Sequence, residues 1–346
     1  MKKLFAVAAS LILSASLLTA CGSAAAPAAT TAPDAASSVT ETAAPETEAA
    51  KVFDVAIVQQ LDHASLDEIR TSAVAELQKL AQEKGITIHV KEYNGQNDAT
   101  VLNQIAAQVV SDQVDAILPI ATLAATTMAT AAEDAGIPVI YAAISDPESA
   151  MLTGLPKVTG TSDALNTPFI LDMMLSAQPG IQTVGLLYSK SETNSQTPIA
   201  EAKQYLDSKG IAYLEKTGST ADEVLAAASE MVGRVQAVFT PTDNTIMAVE
   251  TRVAEILNEA GIPHYTGADS FVTAGAFVTC GVNYTELGAY NANMVVDILL
   301  GGETPEYHVM DCGIITVNTE TAQQLGIDYC VFKTMANSLV EVATAG

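Results

Sequence analysis

From residue 52 onward, short apolar runs alternate with stretches in which apolar residues recur every three or four positions. The first run, Val52–Gln59, predicts a buried strand, and the periodic stretch Leu66–Glu83 predicts a helix that Gly85 ends. The same alternation predicts strands at Ile86–Tyr93, Asp115–Thr122 and Pro138–Ser145, and helices at Val101–Val110 and Thr126–Ala135. Such alternation predicts a parallel sheet with helices on both faces.

The pattern then occurs a second time. The predicted strands are Thr183–Tyr188, Ile211–Lys216, Val235–Thr240 and Ile262–Thr266, and the predicted helices are Ile199–Ser208, Asp222–Val232 and Met247–Ala260. Two short sequences also recur at one common spacing, Lys-Gly-Ile at 84–86 and 209–211 and Ala-Gly-Ile-Pro at 135–138 and 260–263. We therefore predict an α/β protein with two doubly wound, Rossmann-like lobes in tandem.

The elements after the second lobe indicate how the lobes are joined. A strand near Ala276–Asn283, a helix at Glu286–Leu300 and a last strand near Gly313–Val317 follow two complete lobes, so the chain must pass between lobes more than once. We place the crossings near Gly160–Ala164, Gly281 and Gly302–Pro305, which would form a three-stranded hinge. The predicted lobes are residues 52–162 plus 281–303, and 163–280 plus 304–346.

The N-terminus is typical of an export signal. Lys2 and Lys3 precede an apolar run, Leu4–Leu18, that is too short to span a ~30 Å hydrocarbon core comfortably. The following Leu-Thr-Ala-Cys-Gly at 18–22 resembles a bacterial lipobox, which implies removal of residues 1–20 and lipid attachment to Cys21. The alternative is an ordinary secretory signal with a coincidental cysteine.

Residues 21–51 are predicted to be a disordered tether. The segment 22–50 consists almost entirely of Ala, Thr, Ser, Pro and acidic residues, which cannot bury enough apolar surface to offset the entropy of ordering. We therefore expect an extracytoplasmic body that is held to the cell membrane by its lipid anchor only.

Composition excludes several function classes. With 40 acidic and 15 basic residues the formal charge is −25, which argues against binding to nucleic acid and against charge-driven docking on an anionic membrane. The sequence has no glycine-rich nucleotide loop, no nucleophile elbow and no His spacing for zinc, so we expect no cofactor, no metal and no enzyme. Cys280, Cys312 and Cys330 leave open a Cys312–Cys330 disulfide or free buried thiols.

Ligands of open α/β sheets bind beyond the carboxyl ends of the strands, and polar residues follow nearly every predicted strand. Some of these residues will only cap helices. The candidate ligand-binding residues are Gln59, His63, Thr122, Ser145 and Asp146 in the first half, Ser191, Asn194, Ser195, Asp243, Asn244 and Asp269 in the second, and Tyr284 near the second crossing.

Charge in these loops narrows the ligand class. Lys190 is the only basic residue there, so a polyphosphate or dicarboxylate would lack counter-charges. Asp146, Asp243 and Asp269 could each neutralise an ammonium group, and residues 191–195 before a helix could bind a carboxylate. This combination favours a zwitterionic amino acid. An alternative from another class is a surface-anchored α/β hydrolase or isomerase that uses His63 and Asp146.

Several of these loop sequences resemble one family from about Val55 to Ile327. They are Gln-Gln-Leu-Asp-His-Ala-Ser-Leu-Asp at 59–67, Ile-Ala-Thr at 120–122, Ser-Asp-Pro at 145–147, Leu-Tyr-Ser-Lys-Ser-Glu-Thr-Asn-Ser at 187–195, Pro-Thr-Asp-Asn-Thr at 241–245 and Tyr-Thr-Glu-Leu-Gly at 284–288. The chain is similar to ABC-transporter substrate-binding lipoproteins of the tryptophan/tyrosine transport type. That resemblance implies a type I periplasmic-binding fold and an aromatic or branched apolar amino acid as ligand.

We therefore expect a monomeric solute receptor whose cleft closes on its ligand, because the ligand contacts both lobes. It would deliver the ligand to an ABC permease dimer served by cytoplasmic ATPases. A related alternative is a ligand sensor that has no permease.

Overall fold

A computed structural model describes residues 51–335 and 338–345 of the chain. The predicted signal peptide 1–20, Cys21 and the tether 21–51, apart from Lys51, lie outside the described residues. Among the residues that are described, no helix combines the length and the apolar character needed to cross a membrane.

The described part of the chain forms thirteen strands and eleven α-helices. The first half contains β1 (Val52–Gln59), α1 (Ala64–Lys84), β2 (Thr87–Asn94), α2 (Ala99–Ser111), β3 (Ala116–Ile120), α3 (Thr122–Ala132), β4 (Val139–Tyr141) and β5 (Val158–Ser162). The middle contains α4 (Thr167–Ala177), β6 (Thr183–Tyr188), α5 (Gln196–Lys209), β7 (Ala212–Thr217), α6 (Ala221–Ser229), β8 (Ala237–Thr240), α7 (Asn244–Met247), α8 (Glu250–Glu259), β9 (His264–Thr266), α9 (Asp269–Thr273) and β10 (Val278–Gly281). The last part contains α10 (Tyr284–Leu299), β11 (His308–Val309), β12 (Ile314–Asn318), α11 (Thr319–Leu325) and β13 (Ser338–Val342).

The strands form two separate sheets, which confirms the predicted pair of α/β lobes. The first sheet has the order β11-β5-β4-β3-β1-β2 and the second the order β13-β12-β10-β9-β8-β6-β7. The shared part, β2-β1-β3-β4-β5 and β7-β6-β8-β9-β10, is one doubly wound topology built twice from parallel pairs. Only β12 runs antiparallel to its neighbour β10 among the described pairs.

The recurring Lys-Gly-Ile sequence forms the same helix end in both lobes. Gly85 after α1 has φ 65° and Gly210 after α5 has φ 68°, a left-handed conformation that suits glycine. In each lobe the next residue closes the cap, because Ile86 N–H donates to Ala81 O and Ile211 N–H donates to Leu206 O, both at 3.0 Å. Each cap turns the chain directly into the second strand of its sheet.

After the fifth strand of each shared core, the chain crosses to the other lobe and forms a helix there. After β5 the chain crosses at 163–166 to α4, which packs against α5, and after β10 it crosses back at 282–283 to α10, which packs against α1. The third crossing lies at 310–313, between β11 in the first sheet and β12 in the second. We call the segments 163–166, 282–283 and 310–313 the hinge.

The third crossing therefore differs from the expected position near Gly302–Pro305. The strand His308–Val309 pairs with Thr161–Ser162 of the first sheet, so residues 304–309, assigned from the sequence to the second lobe, lie with the first. Gly281 likewise ends a strand of the second sheet, although it was assigned to the first lobe. An exposed two-residue strand has no apolar run, so β11 could not be predicted from the hydrophobic pattern.

Candidate ligand-binding site

A narrow cavity of about 30 Å³ lies between the two lobes. First-lobe elements contribute His63, Ser65, Leu66, Ala121, Thr122, Ala143, Ser145 and Tyr284, and the hinge contributes Asp163. Second-lobe elements contribute Asn194, Thr242, Asp243, Asn244, Met247, Ala268 and Phe271.

The first-lobe wall presents the start of α3. This helix begins at Thr122, four residues before the predicted start at Thr126, and its N-cap residue Ala121 makes no side-chain capping hydrogen bond. Ala121 and Ala143, which both line the cavity, have positive φ values of 75° and 57°. Such strained backbone is concentrated at ligand-binding sites. In the first turn, Leu123 N–H donates to Gln60 Oε1 at 2.9 Å, a neutral acceptor. No carboxylate caps this helix start, which therefore favours a negative group.

The second-lobe wall presents a carboxylate at the corresponding place. Asp243 is the N-cap of α7, and its Oδ1 accepts a hydrogen bond from Ile246 N–H at 3.0 Å. Its Oδ2 accepts hydrogen bonds from Ser189 N–H at 2.6 Å and from Ser195 Oγ at 2.7 Å. Burial raises the pKa of Asp243. The carboxylate is thus fixed in position by three donors of its own lobe.

A second buried acid, Glu192, contacts Asn244 of the second-lobe wall. Glu192 Oε2 accepts a hydrogen bond from Asn244 Nδ2 at 2.9 Å. Burial, followed by the nearby charge of Asp243, raises the pKa of Glu192. Across the cleft, Asn244 Oδ1 lies 3.4 Å from His63 Nε2, and burial lowers the pKa of His63 to about 4. His63 is therefore neutral at pH 7 and adds no positive charge.

Asp163 brings a carboxylate into the cavity from the hinge. It accepts hydrogen bonds from Ser145 Oγ at 3.1 Å and from the Tyr284 hydroxyl at 3.5 Å. Burial raises the pKa of Asp163 to about 6. Because Ser145 Oγ donates to Asp163, the 2.9 Å contact between Ser145 and Thr242 has Thr242 as its donor. This chain of hydrogen bonds joins the second lobe, the first lobe and the hinge.

The rims of the two lobes are in contact around the cavity. Ser65 Oγ of α1 donates to Asp269 Oδ1 of α9 at 2.9 Å, and Thr197 Oγ1 of α5 donates to Asp146 Oδ2 at 2.6 Å. Together with the Ser145–Thr242 hydrogen bond, these contacts join the two rims directly.

The structure brings seven of the twelve predicted ligand-binding residues to the cavity lining. They are His63, Thr122, Ser145, Asn194, Asp243, Asn244 and Tyr284. The pair assigned to the enzyme alternative is not formed, because His63 faces Asn244 whereas Asp146 bonds with Ser149 and Thr197.

The other five predicted residues lie outside the lining and have structural partners. Gln59 donates to Leu61 O and accepts from Arg70, and exposed Ser191 bonds with Ser189. Ser195 donates to Asp243, while Asp146 and Asp269 each accept a hydrogen bond across the rim. In the segment 191–195, expected to bind a carboxylate, Ser195 holds Asp243 and Asn194 lines the cavity.

Sequence reasoning left several lining residues out of the predicted set, and Asp163 is the most consequential. It directly follows β5, so the strand-end rule applies to it, but the Val-Thr-Gly-Thr-Ser sequence of β5 is too polar to predict a buried strand. The other lining residues outside the predicted set are Ser65, Leu66, Ala121, Ala143, Thr242, Met247, Ala268 and Phe271.

Known proteins resemble the chain over most of its length. Residues 54–332 match the family model described as ABC transporter substrate binding protein. A tyrosine-binding protein of Clostridioides difficile (strain R20291) is 30% identical over 287 residues, which cover 81% of this chain and 83% of that protein.

Solved structures share the fold. The crystal structure of an ABC domain in complex with L-Trp from Streptococcus pneumonia is 28% identical, with a TM-score of 0.78, and covers 84% of this chain and 100% of that one. The ligand-free, open structure of a substrate binding protein with adhesive properties from Clostridium difficile is 30% identical, with a TM-score of 0.64, and covers 85% and 100%. These folds are of the type I periplasmic-binding class, and the family consists of extracytoplasmic binding proteins rather than enzymes. By its sequence and its two-lobed fold, the chain belongs to the substrate-binding proteins of ABC transporters.

Proposed function

We propose that this chain captures a zwitterionic amino acid with an aromatic or branched apolar side chain, by closing its cleft, for import through an ABC transporter. One observation carries the proposal: the cavity joins a helix start that no carboxylate caps on one wall with carboxylates on the other wall and in the hinge. Neither Lys nor Arg occurs among the described residues of its lining. An anionic ligand would therefore lack a counter-charge, whereas a zwitterion finds both of its partners.

The proposed pose follows from these charges. The ammonium group pairs with Asp163, whose two hydrogen-bond donors leave acceptor capacity on the carboxylate. The ligand carboxylate lies at the start of α3, beside Thr122. The ligand side chain packs among Leu66, Met247 and Phe271.

Closure follows from contacts on both sides of the cleft. A ligand that touches α3 in the first lobe and α7 in the second binds the closed state more tightly than the open one, and so shifts the population toward closure. Two comparisons support this arrangement. At similar identity and coverage, the chain superposes better on the L-Trp complex (TM-score 0.78) than on the open, ligand-free protein (TM-score 0.64).

We further propose that the mature protein is a monomer anchored by lipid on Cys21 and docks on a permease dimer served by cytoplasmic ATPases. The lipobox-like sequence at 18–22 supports the anchor, and the family supports the transporter partner. A sensor without a permease has no observation in its favour.

Calorimetric titration of the protein with single amino acids tests the ligand class. We expect L-tyrosine, L-tryptophan or a branched apolar amino acid to bind more tightly than about 1 mM. For L-tyrosine, the analogues tyramine, which lacks the carboxylate, and 3-(4-hydroxyphenyl)propionate, which lacks the amine, should each bind at least about tenfold more weakly. Failure of every amino acid to bind below about 1 mM would contradict the proposal.

Asp163→Asn tests the amine partner and keeps the shape of the side chain. We expect affinity to fall by about tenfold to a hundredfold, since a charge-assisted contact becomes a neutral one. The unfolding free energy should not fall, because ionised Asp163 is costly to bury. The control is Asp222→Asn on the exposed face of α6, which removes the same charge far from the lining. Equal affinities of both variants would rule out the Asp163 assignment.

A further inference from the structure

Two cysteines lie close together at the hinge. Cys280 lies in β10, two residues before the crossing at 282–283, and Cys312 lies within the crossing at 310–313. The Cys312 thiol donates a hydrogen bond to Cys280 O at 3.5 Å. The next residue keeps the two segments together, because Gly313 N–H donates to Gly281 O at 3.1 Å.

Cys312 thus lies in one hinge segment and bonds to the strand that leads directly into another. The alternative Cys312–Cys330 disulfide is not formed, since both thiols are free. Cys330 is exposed, in a 3₁₀ helix at 330–334.

We propose that Cys280 and Cys312 are a redox pair of the hinge, and that an external low-molecular-weight disulfide oxidises them to a disulfide that restrains the hinge in its closed arrangement. The effect on ligand affinity rests on the proposed function, whereas the thiol chemistry does not. Proteins outside the cytoplasm meet conditions in which disulfides form and persist, so such an oxidant is chemically reasonable there.

The two cysteines have different roles in the exchange. Cys312 is partly exposed and Cys280 is buried, so an external disulfide RSSR can reach only Cys312. The hydrogen bond from the Cys280 thiol lowers the pKa of Cys312, which favours the attacking thiolate, whereas the same contact and burial raise the pKa of Cys280.

The steps balance without any other reactant. The Cys312 thiolate attacks RSSR, forms a mixed disulfide and releases RS⁻. Cys280 then attacks the Cys312 sulfur and releases the second RS⁻. The two protons of the cysteines pass to the released thiolates, so the pair is oxidised by two electrons while RSSR is reduced to two RSH.

A disulfide here would tie the crossing 310–313 to the end of β10. Closure of the cleft requires the three segments to move together, so a covalent link between two of them limits the lobe orientations available. Because the two cysteines are adjacent in this structure, whose rims are in contact, the link should favour the closed cleft.

The thiol chemistry is tested on the full chain with Cys21→Ser and Cys330→Ser, which leaves only the hinge pair. After treatment with oxidised glutathione and denaturation, thiol titration and intact mass should show two thiols lost and no glutathione added. Adding Cys280→Ala should leave one glutathione on Cys312, and adding Cys312→Ala should leave the buried Cys280 unmodified. A pair that stays reduced in the folded protein would overturn the proposal.

The hinge effect is measured on the same oxidised and reduced samples. L-tyrosine and L-tryptophan should dissociate at least about fivefold more slowly from the oxidised protein. Independently of any ligand, amide hydrogen exchange in the three hinge segments should slow on oxidation. Unchanged exchange would overturn the restraint. If neither amino acid binds, the proposed function fails while thiol titration and exchange still decide the redox pair.

Discussion

The two lobes share their strand order and their helix caps but differ in charge at the cavity. In both, the helix after the third strand of the shared core points its start at the ligand site: α3 after β3, and α7 after β8. The N-cap of α3 is Ala121, whose methyl group cannot accept a hydrogen bond. The N-cap of α7 is Asp243, whose carboxylate caps its helix.

This difference shows how one duplicated scaffold can recognise a zwitterion. The start of α3 meets only a neutral side-chain acceptor, Gln60 Oε1, and keeps partial positive charge for a ligand. The capping carboxylate of α7 cancels that charge and adds a negative one. The backbone is repeated, but the residue at one position in each lobe sets the sign of the wall. The lobes therefore contribute opposite charges to the cavity without any Lys or Arg in the described lining.

The largest expected effect comes from exchanging the capping residue of the second lobe for that of the first. Asp243→Ala leaves Ser189 N–H and Ser195 Oγ buried without their acceptor and removes the cap of α7. We expect the unfolding free energy to fall by about 3 kcal/mol or more, and ligand binding to be lost. Urea denaturation and calorimetry measure the two effects.

The matched control in the first lobe is Thr122→Ala. The Thr122 hydroxyl lines the cavity and makes no side-chain hydrogen bond within the described residues. Its loss should therefore cost less than about 1 kcal/mol of stability. If Asp243→Ala were as stable as Thr122→Ala, the proposed division of charge between a fixed acid and an open helix start would be wrong.

The repeated order of strands and helices could be predicted from the sequence, because apolar runs and glycine caps are local signals. Apolar runs predicted β1 and β6, and the two Lys-Gly-Ile sequences predicted equivalent caps with φ values of 65° and 68°. Helix α4 was missed because its sequence, Thr-Pro-Phe-Ile-Leu-Asp-Met-Met-Leu-Ser-Ala, is apolar around most of the helix and shows little helical periodicity.

The residues that line the cavity could be predicted only in part, because the position of a residue at a strand end does not determine which way its side chain faces. Asp269 follows β9 as expected, yet its carboxylate accepts a hydrogen bond from Ser65 at the rim instead of lining the cavity. Asp163 was missed for the opposite reason, since the polar strand before it was not recognised. The position of Asp269 depends on a contact between lobes, which local patterns do not encode.

The next largest expected effect is a pH dependence of ligand affinity, which should arise from Asp163 and not from His63 of the first lobe. Burial raises the pKa of Asp163 from 3.8 to about 6, so its carboxylate is protonated below pH 6 and loses its attraction for an ammonium group. Affinity should therefore rise with pH, and be about tenfold weaker at pH 5 than at pH 8. His63 of the first lobe, with its pKa lowered to about 4, stays neutral throughout this window.

Calorimetry from pH 5 to 8 checks this profile, with Asp163→Asn as the control that should flatten it. A step that persists in the variant would assign the titration to Glu192 or Asp243, whose pKa values burial also raises. Stability without ligand should change with the opposite sign. The folded state binds the Asp163 proton more tightly than the unfolded state, so the unfolding free energy falls as pH rises from about 4 to 6.

The smallest expected effect tests what the lobes share. Gly85→Ala and Gly210→Ala each place a Cβ on a residue with positive φ, and at both positions no heavy atom lies within 4 Å of that Cβ. Only the backbone strain remains, so each variant should lose about 1 kcal/mol of unfolding free energy, and the two losses should agree. Urea denaturation measures both, while the ligand affinities stay unchanged because the caps lie outside the cavity lining. Unequal losses would show that the lobes differ in their scaffold as well as in the charge of their walls.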